Sequence, residues 1–114
     1  DRIYPAHEQA YVVVFASPMY FWGITGQLKT VLDRLCAVAE KNEFRTPKKE
    51  GVLLMAAGDH DKANDEPVEH YYRALMKHLE WDDKGLIIAG GVNNPGDIEG
   101  HPALEGARML GENL

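Results

Sequence analysis

The 114 residues are enough for one domain with a hydrophobic core, and 45% hydrophobic with 26% charged residues is typical of a soluble globular protein. Eighteen acidic and twelve basic residues give a net charge of −6 without any run of Lys or Arg, which argues against nucleic acid as a partner. No apolar run reaches the roughly 18 residues of a membrane span. The single cysteine, Cys36, excludes an internal disulfide and predicts a reducing, cytoplasmic location.

The first predicted elements are a strand, a helix and a second strand. Three continuous apolar runs have the length of a strand, which is typical of parallel strands buried on both faces. They are residues 11–16, 52–57 and 86–91. Residues 27–41 carry apolar side chains at three- and four-residue spacing, which predicts a helix with one buried stripe. Thr25 is the predicted N-cap of this helix.

A second helix follows the second strand. We predict that it begins at Asp65 or Glu66, because Pro67 is tolerated in a first helical turn, where its missing N–H has no partner to lose. Gly85, which comes directly after the polar residues 82–84, is the predicted stop. The third predicted strand then starts immediately after this glycine.

A third helix is predicted from residue 102 to the C-terminal end, where Leu and Ala recur on one side. The stretches 42–50, 58–66 and 93–97 are polar and predict loops. Three strands that alternate with three helices predict parallel strands joined by right-handed crossovers. Residues 1–114 are therefore expected to form a single α/β domain with an open parallel sheet.

The first predicted strand poses a packing problem. In a three-stranded sheet in sequence order, residues 12–15 lie at an open edge with too few neighbours to cover both faces. In a doubly wound sheet of flavodoxin-like order 2-1-3-4-5, the third strand packs beside the first. We therefore expect the strands of this chain to be the third, fourth and fifth of a flavodoxin-like fold, with strands one and two missing and residues 1–114 as its C-terminal portion.

Ligands of such sheets bind outside the C-terminal ends of the strands, which directs attention to the loop after the first strand. This loop suits a flat aromatic ligand, because a proline stiffens the backbone, three aromatic rings follow, and a glycine lets the main chain come close. The loop residues are Ser17, Pro18, Met19, Tyr20, Phe21, Trp22 and Gly23. The alternative is a stiff turn whose rings pack on another domain or subunit, and composition alone leaves both interpretations open.

The loop and the helix after it carry a longer motif. It reads Ser17-Pro18-x-Tyr20, six further residues, Gln27-Leu28-Lys29, three further residues and Asp33-Arg34. This spacing resembles the signature of NAD(P)H-dependent FMN reductases and the related iron–sulfur flavoproteins. Residues 96–111 are similar to the C-terminal helix region of the same family.

The resemblance implies an FMN-dependent NAD(P)H oxidoreductase of the flavin or quinone reductase type, which passes electrons through bound FMN to a small acceptor. It implies that residues 17–23 contact the flavin ring while a second loop closes on the ring from the other side. The second loop consists of Ala57, Gly58, Asp59 and His60. No side chain need act as an acid or base, so neither a catalytic residue nor a metal ligand is predicted. A homo-oligomer that pairs across the flavin site and buries Phe21 and Trp22 is also implied.

Other interpretations stay open at this point. A non-enzymatic flavodoxin-like electron carrier shares the same fold, and the chain is also compatible with a truncated fragment that has no activity of its own. His60 is the one candidate for handling a proton. Cys36 is expected to pack within its helix, and Asp33 and Arg34 are expected to anchor that helix or a dimer contact.

In the family, the FMN phosphate is held at a helix N-terminus by a loop after the first strand. Because this sequence contains no such loop, we predict that the 114-residue chain by itself binds FMN weakly or not at all. A titration of FMN fluorescence with the chain measures this. Saturable binding in the micromolar range contradicts the prediction.

Overall fold

A computed structural model describes residues 2–43 and 47–114, apart from the side chain of Cys36. The prediction for Cys36 and the middle of the predicted loop 42–50 therefore lie outside the described residues. The elements in chain order are α1 (Ile3–Gln9), β1 (Val12–Pro18), α2 (Gly26–Lys41), β2 (Glu50–Ala56), a 3₁₀ turn (Lys62–Asp65), α3 (Glu66–Leu79), β3 (Asp82–Ala89) and α4 (Pro102–Glu112). Among the described residues, no helix is long and apolar enough to cross a bilayer.

The three strands form one parallel sheet in the order β1-β2-β3. Val12 pairs with Glu50 at one end of the first ladder, and Pro18 pairs with Ala56 at the other. The β2 and β3 ladder ends with Ala56 opposite Ala89. All three strands thus reach the same edge of the sheet together. The predicted α/β class with an open parallel sheet is confirmed.

The core lies mainly on one face of the sheet, beneath α2 and α3. Phe15 of β1 stacks on Trp81, with ring centroids 6.3 Å apart and planes inclined by 8°. Tyr72 of α3 is 1% exposed, and its hydroxyl donates a 2.8 Å hydrogen bond to the Gly51 carbonyl of β2. The stripes predicted for both helices are therefore the surfaces that form this core.

The other face of the sheet is covered only in part. The side chain of Leu110 in α4 lies against Gly85, and Ile87 approaches Gly106 of the same helix. At β1, on this face, Val14 is 49% exposed and Ala16 is exposed. Burial on both faces was predicted for all three strands. For β1 it is wrong in this chain, because among the described residues this strand has no outer neighbour and its Val14 and Ala16 are exposed on this face.

The structure corrects the predicted end of α3 and the predicted start of β3. Helix α3 begins at Glu66 as expected, but it ends at Leu79, because Glu80 takes a left-handed conformation with φ 56°. Gly85 is therefore not a helix stop, and residues 82–84 belong to the strand. They are polar because the strand begins at a solvated edge, where Asp83 pairs with Arg73 at 2.9 Å.

Two other differences concern the first strand and what precedes it. The ladder of β1 continues to Pro18, so two residues of the predicted ring-binding loop belong to the strand. Helix α1 was not predicted. The side chain of Lys49, which is 4% exposed, donates from its ammonium to the carbonyls of Glu8 and Ala10 at the end of this helix. This contact joins α1 to the start of β2, which sequence spacing does not reveal.

The Tyr72 hydroxyl provides a test of the core. Tyr72→Phe removes a buried hydrogen bond, and the Gly51 carbonyl loses a donor that is not replaced. We therefore expect the free energy of unfolding at pH 7 to fall by about 1 kcal/mol. Urea denaturation measures this. Tyr11→Phe is the matched control, because Tyr11 is 85% exposed, and it should leave the free energy unchanged.

The same residue predicts an alkaline transition. Burial, with a further contribution from the Asp83 carboxylate, raises the pKa of Tyr72 above its usual value. The unfolded chain then loses this proton at a lower pH than the folded protein, from about pH 10 upward. The stabilisation from Tyr72 is complete below that pH and declines as the pH rises further. The alkaline loss of stability should therefore be smaller in Tyr72→Phe, and equal slopes would contradict the assignment.

Candidate functional site

A cleft of about 340 Å³ lies at the edge of the sheet where β1 and β2 end. We call it the aromatic cleft. Its walls come from the loop after β1, the loop after β2 and the 3₁₀ turn before α3. The lining residues are Met19, Phe21, Trp22, Ala57, Gly58, Asp59, Asn64 and Asp65.

The loop after β1 is held at its start by Ser17. This side chain is 7% exposed, its hydroxyl donates to the Pro18 carbonyl at 2.8 Å, and its oxygen accepts the Thr25 N–H at 3.0 Å. The Met19 N–H then donates to the Ala56 carbonyl of β2 at 2.8 Å. Ser17 thus closes the loop against the N-cap of α2, where Thr25 also accepts the Leu28 N–H as predicted. These hydrogen bonds of Ser17 hold the start of the loop in place.

The tip of this loop is a tight turn with unusual backbone angles. Tyr20 and Gly23 exchange two main-chain hydrogen bonds of 3.1 Å, and the two central residues, Phe21 and Trp22, have φ of 48° and 64°. Turns of this kind favour Asn and Gly, because a side chain in the left-handed region meets its own carbonyl oxygen. Phe21 is nevertheless 94% exposed. Strained residues of this kind cluster at functional sites, which makes the turn a candidate for contact with a ligand or a partner.

The loop after β2 is braced by the loop after β3. The Ala57 N–H donates to the carbonyl of Ala89, the last residue of β3, at 2.8 Å. The Asn93 side chain, in the loop that follows, donates to the Gly58 carbonyl at 3.1 Å. Gly90 is required where these loops touch, because a Cβ there would lie 2.8 Å from the Asp59 carbonyl oxygen. The wall of the cleft formed by the second loop is therefore a rigid one.

His101 ties the loop after β3 to the start of α4. Its Nδ1 accepts the Ala103 N–H at 3.0 Å, as an N-cap group does, so in this arrangement Nδ1 carries no proton. The proton of the neutral ring is then on Nε2, which lies 2.9 Å from the Gly90 carbonyl and donates to it. A single imidazole thus caps α4 and fixes the glycine that touches Asp59.

Asp97 organises the tip of the same loop. Its carboxylate accepts the N–H groups of Asn93 and Asn94, both at 2.9 Å. These two backbone hydrogen bonds hold the pKa of Asp97 below its usual value. The side chain of Asn93 is thereby held where it can reach Gly58.

The charge of the cleft is negative on one side. Asp65 is 5% exposed and pairs with the Lys62 ammonium at 3.4 Å. Asp59 carries no cationic partner of this kind among the described residues, but both of its carboxylate oxygens accept N–H groups, one from Asp61 and one from Asn64. The acidic groups are therefore held in place as acceptors, and the opposite wall is aromatic and apolar.

Six of the eleven residues predicted from the sequence line the aromatic cleft. They are Met19, Phe21, Trp22, Ala57, Gly58 and Asp59. Ser17 and Pro18 end β1, while Tyr20 and Gly23 form the base of the turn. The His60 ring packs on Gly91, where a Cβ would come within 2.1 Å of it, and it does not line the cleft.

Two lining residues, Asn64 and Asp65, were missed. The stretch that contains them was interpreted as a solvated loop because of its many acidic residues. A usable signal was present, since both residues directly precede the helix that follows β2, at the sheet edge where ligands bind. What the sequence did not show is the 3₁₀ turn, Lys62–Asp65, that folds them back over the cleft.

Comparison with known proteins gives three findings. A family model described as NADPH-dependent FMN reductase matches residues 1–81, which include both loops of the cleft. A protein of Bacillus subtilis (strain 168) with the provisional name NAD(P)H-dependent FMN-containing oxidoreductase YwqN is 29% identical over an alignment of 116 positions, which covers 96% of this chain and 64% of YwqN. This chain thus spans less than two thirds of that relative.

A solved structure, that of a Trp repressor binding protein from Bacillus subtilis, superposes with a TM-score of 0.80. It is 24% identical in sequence, and the match covers 93% of this chain and 71% of the other. At this identity the likeness shows a common fold. It supports the flavodoxin-like α/β class and carries no statement about ligands.

The strained turn predicts a substitution that increases stability. In Phe21→Gly the folded protein no longer bears the cost of a left-handed conformation, which is about 1 to 2 kcal/mol. The substitution also gives the unfolded chain more conformational entropy, which lowers the stability by about 0.4 to 1 kcal/mol. Because Phe21 is 94% exposed, little packing is lost. The free energy of unfolding should therefore rise by about 0.5 to 1 kcal/mol in urea denaturation. Tyr11→Gly, which also removes an exposed aromatic side chain but at a residue without positive φ, should lower it.

Proposed function

Because the chain belongs to the NADPH-dependent FMN reductase family, we propose that the protein binds FMN in the aromatic cleft and oxidises NAD(P)H. The electrons pass through the flavin to a small acceptor of the quinone, free flavin or metal class. The observation that carries the proposal is the cleft itself, in which a strained, exposed aromatic turn faces a rigid second loop across the ends of two parallel strands.

The residues of the cleft fit a flavin ring. Met19, Phe21 and Trp22 supply a flat apolar wall, which suits an aromatic ring system. The main-chain N–H groups of Phe21 and Trp22 make no hydrogen bond within the part of the chain that the structure describes, so they are available to the polar edge of a ligand. Carbonyl and nitrogen acceptors along that edge of a flavin match such a donor set. The volume of about 340 Å³ lies at the lower end of the range that is typical of small-molecule sites, which suits the ring of a flavin.

When bound, FMN supplies the redox chemistry itself, accepting a hydride equivalent and releasing electrons to the acceptor. The part played by this chain is to hold, orient and shield. The aromatic turn excludes water from one side, and the braced loop after β2 fixes the distance to the other wall. Both carboxylate oxygens of Asp59 accept N–H groups, from Asp61 and Asn64, which supports a structural role for this side chain. No catalytic side chain is assigned.

The proposal extends to partners. Phe21 is 94% exposed and Tyr20 63%, which supports a homo-oligomer in which a second copy covers the turn. The net charge of −6 disfavours nucleic acid, and a reducing cytoplasmic location stays our expectation from the single cysteine. His60 stays a candidate for proton handling only if it leaves its place on Gly91.

Anaerobic reduction of the flavin tests the proposed activity. The intact protein, loaded with FMN, should lose its oxidised flavin absorbance when NADPH or NADH is added, and should turn over when a quinone is supplied. Reduction by dithionite without reduction by either nicotinamide would instead favour a one-electron carrier. Failure to retain FMN at all would refute the proposed site.

A variant pair tests where the flavin lies. Phe21→Gly removes one ring from the wall of the cleft, so the dissociation constant for FMN should rise about two- to tenfold, the effect of one aromatic contact. Tyr11→Gly removes a ring at the opposite end of β1 and should leave the constant unchanged. Since Phe21→Gly is also expected to be the more stable protein, weaker binding in this variant cannot be attributed to unfolding.

A further inference from the structure

A chain of side-chain hydrogen bonds joins the two loops of the aromatic cleft. The Trp22 indole N–H donates to the Asn64 Oδ1 at 3.1 Å, and the Asn64 Nδ2 donates to the Asp59 Oδ2 at 2.9 Å. The orientation of the amide is dictated by its neighbours, because an indole nitrogen can only donate and a carboxylate can only accept. We call these three residues the Trp22 tether.

The far end of the tether is itself fixed. The other carboxylate oxygen of Asp59 accepts the Asp61 N–H at 2.9 Å, and its main-chain carbonyl accepts the Gly91 N–H at 3.2 Å. Asp59 is therefore held by the 3₁₀ turn on one side and by the loop after β3 on the other. A group that is anchored in this way can set the position of whatever is attached to it.

The near end needs such support. Trp22 has φ 64°, and 53% of its surface is exposed, so neither backbone preference nor burial holds its ring in one orientation. Its contact with Phe21, at 6.4 Å between ring centroids, joins it to another strained and exposed residue. Among the described residues, the hydrogen bond to Asn64 is the one directional contact that fixes the indole plane.

The orientation of the Trp22 ring affects two clefts. Trp22 lines the aromatic cleft, and it also lines a second cleft of about 280 Å³ with Gly23, Ile24, Lys29 and Tyr71. Rotation of the ring therefore changes the shape of both clefts. The hydrogen bond that sets this rotation also sets the width of the site for a flat ligand.

We propose that Asn64 and Asp59 are positioning residues that hold Trp22 as a wall of the aromatic cleft and so set the fit of a flat ligand. The identity of that ligand as FMN rests on the proposed function, whereas the tether itself is a property of the chain without ligand. Neither residue touches reacting atoms in this role. Both act through the indole ring.

The tether can be tested first without flavin. In Asn64→Leu the indole N–H of Trp22 loses its acceptor, so its exchange with solvent, measured by nitrogen-15 NMR, should speed up about three- to tenfold, the effect of one hydrogen bond. Trp22→Phe assigns the signal. Trp81, whose indole N–H is buried without a partner among the described residues, serves as the internal reference. Asn113→Leu, which removes an exposed amide at the far end of α4, should change neither signal.

An exchange of partners separates positioning from general structural damage. In Asp59→Asn a single amide oxygen replaces the two carboxylate oxygens that accept from Asp61 and Asn64, and in Asn64→Asp two carboxylates repel each other, so each single variant should weaken the hold on the indole. In the double variant Asp59→Asn/Asn64→Asp the donor and acceptor are swapped and the net charge is unchanged. The new carboxylate at position 64 accepts from both the indole and the new amide, and slow exchange should return.

Binding of FMN to the intact protein completes the test. The dissociation constant should rise about three- to tenfold in Asn64→Leu and in both single swaps, and should recover in the double variant. Unchanged exchange in Asn64→Leu, or no recovery in the double variant, would overturn the tether. A freed indole with unchanged FMN affinity would overturn the positioning role. If the intact protein without substitutions binds no FMN, the proposed function fails, while the exchange data still decide whether Asn64 and Asp59 hold Trp22.

Discussion

The pairing of β1 with β2 is the constraint on which the site depends. Parallel strands in register, with Pro18 opposite Ala56, release their following loops at the same edge of the sheet and side by side. The Met19 N–H extends the ladder by one more hydrogen bond, to the Ala56 carbonyl. Two segments that are about 40 residues apart in sequence thereby become the two walls of one cleft.

Rigidity is distributed unevenly around this cleft. The loop after β2 is held from behind by the loop after β3, through Asn93, Gly90 and the imidazole of His101. The turn after β1 instead carries strain, with Phe21 and Trp22 both in the left-handed region. A fixed wall opposite a strained aromatic wall supports the proposal that a flat ligand binds here, away from the core.

Stability and the proposed binding of a flavin therefore favour different residues at the turn. Glycine at position 21 suits the backbone better, whereas a ring suits the cleft. Strain of this kind persists in functional sites because the surrounding structure supports it. Here that support comes from the mutual hydrogen bonds of Tyr20 and Gly23 and from the contact between Trp22 and Asn64.

The sequence alone determined the α/β class, the three parallel strands, the N-cap at Thr25 and the presence of an aromatic loop after β1, because apolar runs, helical spacing and the family motif are local. It misplaced the end of α3, since the left-handed Glu80 carries no glycine signal. Only the tertiary structure decided that Asn64 lines the cleft and bonds Trp22, a residue 42 positions away. Such contacts depend on how separate loops converge at the sheet edge, which no local pattern encodes.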